Sequence, residues 1–201
     1  MKKDRTIVVA ITGGIGSGKS SVLSMMEDLG ARILDANKLA REAISKGSPA
    51  YLAIVERYGS SLLDQNKEID RSALASIAFD SDDERLFIEG AIHPFVRNEI
   101  NRLAAEFSKM GAKVVAVEIP LLFEVGWEKE FDAVITVVTN EDEGLRRFCK
   151  KRNIPTEEAK KRLKVQIPIE IKAKKSDFVI NNDGTPEKTR FQVASAFKKL
   201  V

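Results

Sequence analysis

The residues with the clearest chemistry lie in one glycine-rich stretch near the start of the chain. Gly13, Gly14, Ile15, Gly16, Ser17, Gly18, Lys19 and Ser20 fit the phosphate-binding loop G-x-x-x-x-G-K-[ST] in full. In such a loop the glycines let backbone amides turn inward around a polyphosphate. Lys19 is then placed to reach the β- and γ-phosphates, and Ser20 to hold Mg²⁺ through its hydroxyl.

A nucleoside triphosphate bound in this loop serves a switch, a motor or a kinase. A GTPase needs an Asn-Lys-x-Asp motif to read its base, and residues 37–40 and 66–69 both begin Asn-Lys but lack the aspartate. No aspartate in the sequence is followed by glycine three residues later, so the usual GTPase switch signature is absent too. These features favour a small-molecule kinase, with a non-catalytic nucleotide-binding module as the alternative.

A kinase that acts on a hydroxyl needs a carboxylate near the acceptor to take its proton. Asp35 follows the apolar segment 31–34, and ligands of open α/β sheets bind at the carboxyl ends of strands. Asp35 is therefore the candidate general base. The alternative is that Asp35 caps the helix that begins near Asn37.

A second acid, Glu118, closes the apolar run of residues 114–117. A carboxylate at such a strand end commonly holds the water shell of Mg²⁺ opposite the phosphate-loop hydroxyl. Ser20 and Glu118 are therefore the predicted metal-site residues. The alternative for Glu118 is an ordinary acid at a strand exit.

Basic side chains cluster later in the chain, at Arg146, Arg147, Lys150, Lys151 and Arg152. Arginines stabilise the charge on a transferred phosphoryl group, and a segment that carries them can close over a site as a lid. The alternative is a solvated helix face, which is the usual meaning of a charge run. The same two alternatives apply to Arg162. His93, which precedes Pro94, either positions substrate or packs in the core.

An α/β fold has to position these residues. Residues 7–12 are β-branched and uncharged, which predicts a buried central strand, and residues 20–29 have helical spacing that closes at Gly30. Further strands are predicted over residues 114–119, 133–138 and 178–180, with an edge strand over 31–34.

The pattern between residues 37 and 110 is helical. Asn37 predicts the cap of a helix that ends at Gly47, Asp70 predicts the cap of a helix through Phe79, and Pro94 should end or kink a helix over residues 82–110.

The last third of the chain is also mostly helical. A charged helical stretch over residues 141–175 is interrupted near 153–155 and at Pro168. Thr185 and Pro186 supply the cap and first-turn proline of a final helix to Leu200.

Composition limits the class of protein. The 201 residues are 43% hydrophobic, enough for a sizeable core and too many for a disordered chain. The net charge of +3 indicates no nucleic-acid partner, the single cysteine excludes an intrachain disulfide framework, and no apolar run of about 18 residues predicts a membrane span. We expect a cytoplasmic protein, monomeric or weakly homo-oligomeric, that acts on a small molecule.

Together these residues make the chain resemble the dephospho-CoA kinase family over nearly its whole length. The phosphate loop, extended by Ile11-Thr12 before it and Ser21 after it, is the most specific piece. Later pieces follow in the family's order and spacing: residues 34–37 and 40–41, His93-Pro94, 119–124, 162–166 and 177–184.

The resemblance implies a nucleotide-monophosphate-kinase-like fold that uses ATP and Mg²⁺ to phosphorylate the ribose 3′-hydroxyl of dephospho-CoA. It implies a core over about residues 5–36, 112–140 and 176–201, a helical substrate domain over about 37–111 and a lid over about 141–175. Asp35 becomes the expected general base, and Lys19 and Arg147 the groups that stabilise the transferred phosphoryl. The expected substrate contacts are Asp35, Arg41, His93, Pro94, Leu121, Glu124 and Arg162.

Two positions depart from the family pattern. Asn37 stands where the family has a second acid, which removes one negative charge beside the site. Lys151 stands four residues after Arg147, where the family has a second lid arginine, and Arg152 follows it. Because a lysine is a point charge and not a bidentate fork, either Arg152 takes that place among the ATP-binding residues or the lid holds the phosphates more weakly.

Overall fold

The computed structural model of the protein describes residues 5–201, with Arg162 described through its backbone only. The strands in these residues are β1 (Ile7–Gly13), β2 (Arg32–Asp35), β3 (Val114–Glu118), β4 (Ala133–Val138) and β5 (Phe178–Asn181). They form one sheet in the order β2-β3-β1-β4-β5. The pairs β1–β3, β1–β4 and β4–β5 are parallel, which confirms the predicted α/β class.

α-Helices connect β1 to β2, β2 to β3 and β4 to β5, and a loop with one 3₁₀ turn connects β3 to β4. The α-helices are α1 (Lys19–Asp28), α2 (Ala36–Ala43), α3 (Pro49–Tyr58), α4 (Arg71–Asp80), α5 (Asp82–Lys109), α6 (Glu141–Arg152), α7 (Thr156–Lys164), α8 (Ile169–Lys175) and α9 (Pro186–Leu200). None of the helices in the described part of the chain has the length and the apolar run required to cross a membrane.

β1 is the centre of the sheet because its residues are apolar on both faces. Val9, Ala10 and Ile11 are fully buried, and apolar residues of α1 and α9 pack in the same core. Ile11 pairs with Glu118 of β3, and Gly13 pairs with Val137 of β4. The carboxyl ends of the three central strands therefore lie side by side, at the point where the phosphate loop begins.

The chain divides into two compact units. The first contains the described residues up to Leu34 together with Ala104–Val201, and the second is Asp35–Leu103. The second unit has its own apolar core, which includes Tyr51, Ile54 and Ile88. The boundaries given above for core, substrate domain and lid stay a prediction.

The first helix of the second unit corrects one sequence prediction. Its cap is Asp35 and not Asn37, because the Asp35 carboxylate accepts hydrogen bonds from the amides of Asn37 (2.8 Å) and Lys38 (3.3 Å). Asp35 has the extended backbone that a cap requires, whereas Asn37 already lies in the helix. The helix also ends at Ala43, before the predicted end. The predicted Asp70 cap is confirmed.

Pro94 does not end its helix, because α5 runs on through it to Lys109. The buried residues Ile88, Val96 and Ile100 lie on both sides of the proline, so packing of the apolar side offsets the lost amide donor. The predicted breaks are confirmed, since residues 153–155 separate α6 from α7 and Pro168 precedes α8.

Candidate functional site

The phosphate loop is built by close contact between two backbones. Gly16 has φ 63° and faces Gly144, so a Cβ at Gly16 would overlap the Gly144 carbonyl oxygen. A Cβ at Gly144 would in turn lie 2.6 Å from the Ile15 carbonyl oxygen. Glycine is thus required at both positions, and the loop is fixed to the first turn of α6.

The start of α1 offers unpaired amides to an anion. Gly18 is its N-cap and makes no side-chain capping bond, so no side chain of the cap competes for the first amides of the helix. Ser20, the predicted Mg²⁺ ligand, is exposed in that first turn, as is Ser21. Ser17 is buried, and its Oγ has no hydrogen-bond partner among the described residues. This arrangement fits a polyphosphate.

Lys19 lies over the loop that it belongs to. Its Nζ donates to the carbonyl oxygens of Gly13 (3.1 Å) and Gly14 (2.9 Å). The pKa of Lys19 is lowered from 10.5 to about 8, chiefly by burial. Nearby Lys172 and Lys151 contribute to this shift, whereas Glu118 and Glu124 oppose it. A group so tuned by burial and by named charges is typical of a functional site.

Asn182, just after β5, fixes the far side of the loop. Its Nδ2 donates to the carbonyl oxygen of Ser17 (2.9 Å), and its Oδ1 accepts from the hydroxyl of Thr189 (2.9 Å). Thr189 is fully buried on α9. The amide side chain of Asn182 therefore connects the loop to the core of the first unit. No role was assigned to Asn182 from the sequence.

Two acidic residues lie at the end of β3 and shortly after it, Glu118 and Glu124. Glu118 is half-buried as the last residue of β3. Glu124 lies six residues further on, and its Oε1 is 2.7 Å from Nζ of the fully buried Lys172. Leu121, between them, is 38% exposed and so is open to a ligand.

The basic residues of α6, here called the cationic segment, are Arg146, Arg147, Lys150, Lys151 and Arg152. Arg147 donates from Nε to Glu143 (2.7 Å) and from Nη1 to the Asn182 carbonyl oxygen (3.5 Å). Hydrogen bonds from Arg146 and Arg147 lower the pKa of Glu143 to about 2, so the carboxylate stays charged. Lys151 and Arg152 are exposed.

Four predicted substrate residues belong to the second unit. Asp35 is half-buried at the start of α2, Arg41 is exposed in the same helix, and Pro94 is exposed in α5. His93 is half-buried, and burial lowers its pKa. The predicted contact of Arg162 lies outside the described residues, because only its backbone is described.

Lys172 is the main residue that sequence reasoning missed, because it reads as one more lysine in a charged helix. A signal was present, since Lys172 lies three residues after Ile169 and four before Ser176, on the inward face of α8. Helical spacing thus separates Lys172 from Lys174, which is exposed.

The sequence is similar to those of known proteins. Residues 7–188 match the sequence model of the dephospho-CoA kinase family. A dephospho-CoA kinase of Bacillus anthracis is 41% identical over 194 residues, which cover 96% of this chain and 97% of the relative.

Solved structures agree with the sequence. TT1252 from Thermus thermophilus superposes with a TM-score of 0.84 at 31% identity, covering 97% of both chains. A dephospho-CoA kinase from Campylobacter jejuni gives a TM-score of 0.69 at 29% identity, covering 96% of both chains.

Proposed function

The chain belongs to the dephospho-CoA kinase family, and from that premise we propose which of its residues carry out the reaction. The reaction is ATP-dependent phosphorylation of dephospho-CoA in coenzyme A biosynthesis. The observation that carries the assignment of residues is the phosphate loop, in which Lys19 lies over a turn that admits no side chain at Gly16. We assign the transfer to the ribose 3′-hydroxyl.

Nucleotide binding falls to the loop, from Gly13 to Ser21. The amides at the start of α1 and the ammonium of Lys19 face the phosphates, because both are positive and lie at the carboxyl end of β1. The hydroxyl of Ser20 and the carboxylate of Glu118 are oxygen ligands of the kind that Mg²⁺ and its water shell prefer. ATP bound with Mg²⁺ supplies the phosphoryl group that is transferred.

Asp35 is the proposed general base, and its capping role supports this assignment. The amides of Asn37 and Lys38 both donate to Oδ1. These bonds fix the orientation of the carboxylate and do not use Oδ2, which can then take the proton of the acceptor hydroxyl. Capping and catalysis are therefore compatible functions of one side chain.

The acceptor-binding residues are proposed from matched positions in the family. These residues are Asp35, Arg41, His93, Pro94, Leu121, Glu124 and Arg162. Arg147 stabilises charge on the phosphoryl group during transfer, as arginines do in phosphoryl transfer generally.

The first test is a coupled ADP-release assay with ATP, Mg²⁺ and dephospho-CoA, compared with adenosine, AMP and shikimate as acceptors. Product mass should show one added phosphate, and its position should be the 3′-hydroxyl. Activity on another acceptor alone would make the chain a different small-molecule kinase. ATP binding without transfer to any acceptor would favour the nucleotide-binding module.

Asp35→Asn isolates the proposed base, because asparagine also caps helices well and so preserves the start of α2. We expect kcat to fall roughly 10²-fold or more while ATP affinity stays near normal. Asp70→Asn is the matched control, since Asp70 caps α4 with two bonds of similar length (2.8 and 3.2 Å). Equal kcat in the two variants would remove Asp35 from the mechanism.

We also propose that the protein is cytoplasmic, monomeric or weakly homo-oligomeric, and that it has no nucleic-acid partner. Its nearly balanced charge supports the last point. Light scattering after size exclusion, with and without a DNA or RNA duplex, tests the oligomeric state and the nucleic-acid partner, and cell fractionation tests the location.

A further inference from the structure

Lys172 of α8 is a charged side chain with no solvent exposure. Its Nζ lies 2.7 Å from Glu124 Oε1 and donates to the carbonyl oxygen of Pro120 at 3.2 Å. A buried charge is expensive unless it is paired, and even a paired one is often no more stable than an apolar replacement. Stability alone therefore gives a weak account of this ion pair.

The backbone that carries Lys172 is fixed to the centre of the sheet. The hydroxyl of Ser176 donates to the Lys172 carbonyl oxygen at 2.8 Å, and the same hydroxyl is 2.5 Å from Oγ1 of Thr136 in β4. Thr136 is fully buried. The ammonium group therefore has a defined position relative to the phosphate-loop side of the sheet.

The two carboxylate oxygens of Glu124 differ in their hydrogen-bond partners. Oε1 accepts from Lys172 Nζ and from the amide of Ile167 at 2.8 Å. Oε2 is buried, and among the described residues it has no hydrogen-bond partner. A buried carboxylate oxygen without a hydrogen-bond donor carries a full desolvation penalty. A donor group of a bound ligand would offset that penalty.

We propose that Lys172 is a positioning residue for the acceptor substrate: it holds the Glu124 carboxylate in place, with Oε1 occupied, so that Oε2 receives a hydroxyl or N–H donor of the acceptor. This inference rests on the proposed function, in which Glu124 contacts the acceptor. It adds the residue that fixes the carboxylate, and it gives a role to a lysine at a position with no exposure.

The electrostatics of Lys19 provide an internal control. Lys172 lowers the pKa of Lys19, whereas Glu124 opposes that effect. Neutralising both members of the pair removes two opposing influences at once, so the environment of Lys19 changes little. ATP binding should then be nearly unaffected, and the change should be confined to the acceptor.

The experiment compares Lys172→Met, Glu124→Gln and the double variant, with Lys174→Met as control because Lys174 is an exposed lysine of the same helix. Each protein is assayed for thermal unfolding and for KM of ATP and of dephospho-CoA. Both single variants should lose stability, since each leaves a buried charge unpaired.

The double variant decides between a structural and a positioning role. We expect it to recover most of the thermal stability, to keep KM for ATP within a few-fold of wild type, and to retain a KM for dephospho-CoA raised roughly 10- to 100-fold. A double variant with wild-type KM for both substrates would overturn the inference and make the pair structural. A wild-type chain inactive on dephospho-CoA would overturn the proposed function, and this inference with it.

Discussion

The phosphate loop and the cationic segment of α6 hold their residues by different means. In the loop, backbone meets backbone, and Gly16 and Gly144 leave no space for a side chain between them. In the cationic segment, Arg147 is held through an ion pair with Glu143 and is 37% exposed. The loop should therefore respond to substitution abruptly, whereas the cationic segment should respond in small steps, because exposed ion pairs contribute little each.

Gly16→Ala should have the largest effect. The new Cβ would overlap the Gly144 carbonyl oxygen and force a left-handed backbone on alanine, so we expect ATP binding and turnover to be lost. Calorimetric titration with ATP measures it. Gly111→Ala is the matched control, because Gly111 has φ 84° but nothing within 4 Å of its Cβ position.

Gly111→Ala should cost only the backbone strain, about 1–2 kcal/mol of unfolding free energy, with ATP affinity retained. If Gly16→Ala behaved like this control, the backbone contact with α6 would not be what shapes the loop.

The next effect concerns pH. Lys19 binds phosphate in its charged form, which is present below its pKa of about 8 and is lost as the pH rises through that value. We expect kcat/KM for ATP, which reports the free enzyme, to fall roughly tenfold per pH unit above this pKa. A pH profile with saturating dephospho-CoA measures it.

Lys19→Arg provides the control for that profile, because a guanidinium stays charged over the whole range. The variant should lose the alkaline decline even if its activity is lower. An unchanged decline would assign the titration to another group.

Asn182→Ala removes the side chain that connects the loop to α9. It deletes the bond to the Ser17 carbonyl oxygen and leaves the buried Thr189 hydroxyl with one partner fewer, so we expect a loss of about 1–3 kcal/mol in unfolding free energy and a several-fold higher KM for ATP. Urea unfolding and ATP kinetics measure both. Thr189→Val keeps the bond to the loop and should raise KM for ATP less than Asn182→Ala does. A larger rise in Thr189→Val would mean that KM for ATP depends on the packing of α9 and not on the bond to the loop.

The smallest effect is expected in the cationic segment. Lys151 lies one helical turn after Arg147, on the same face, and its charge lowers the pKa of Lys19. We expect Lys151→Ala to raise KM for ATP a few-fold and Arg152→Ala to change KM less. For Lys151→Arg we expect a KM for ATP at or below the wild-type value. If Arg152→Ala had the larger effect, Arg152 would be the residue that replaces the family's second arginine.

Features with a local cause were predictable from the sequence. The phosphate loop, the central strands and the Asp70 cap each depend on residues a few positions apart, and each lies where the pattern predicted. Pro94 does not end α5, which was one of its two predicted effects, because burial on both sides of the proline outweighs a local rule.

Features that depend on distant partners were not predictable. Helical spacing could place Lys172 on the inward face of α8, but its partner Glu124 lies 48 positions away in the sequence. Asn182 likewise contacts Ser17, which lies near the other end of the chain. Asp35 lies between these cases: the sequence allowed both a cap and a base, the structure shows the cap, and the base stays a proposal.

The contact of Gly16 with Gly144 also has a mechanical consequence. It anchors the amino end of α6 to the loop, so any swing of the following helices has to pivot beyond that anchor. Asn153, with φ 52° between α6 and α7, is the left-handed break in the chain there. For the predicted lid, a fluorophore on α7 is expected to report motion against one on α1, whereas a fluorophore on the first turn of α6 is expected to remain still.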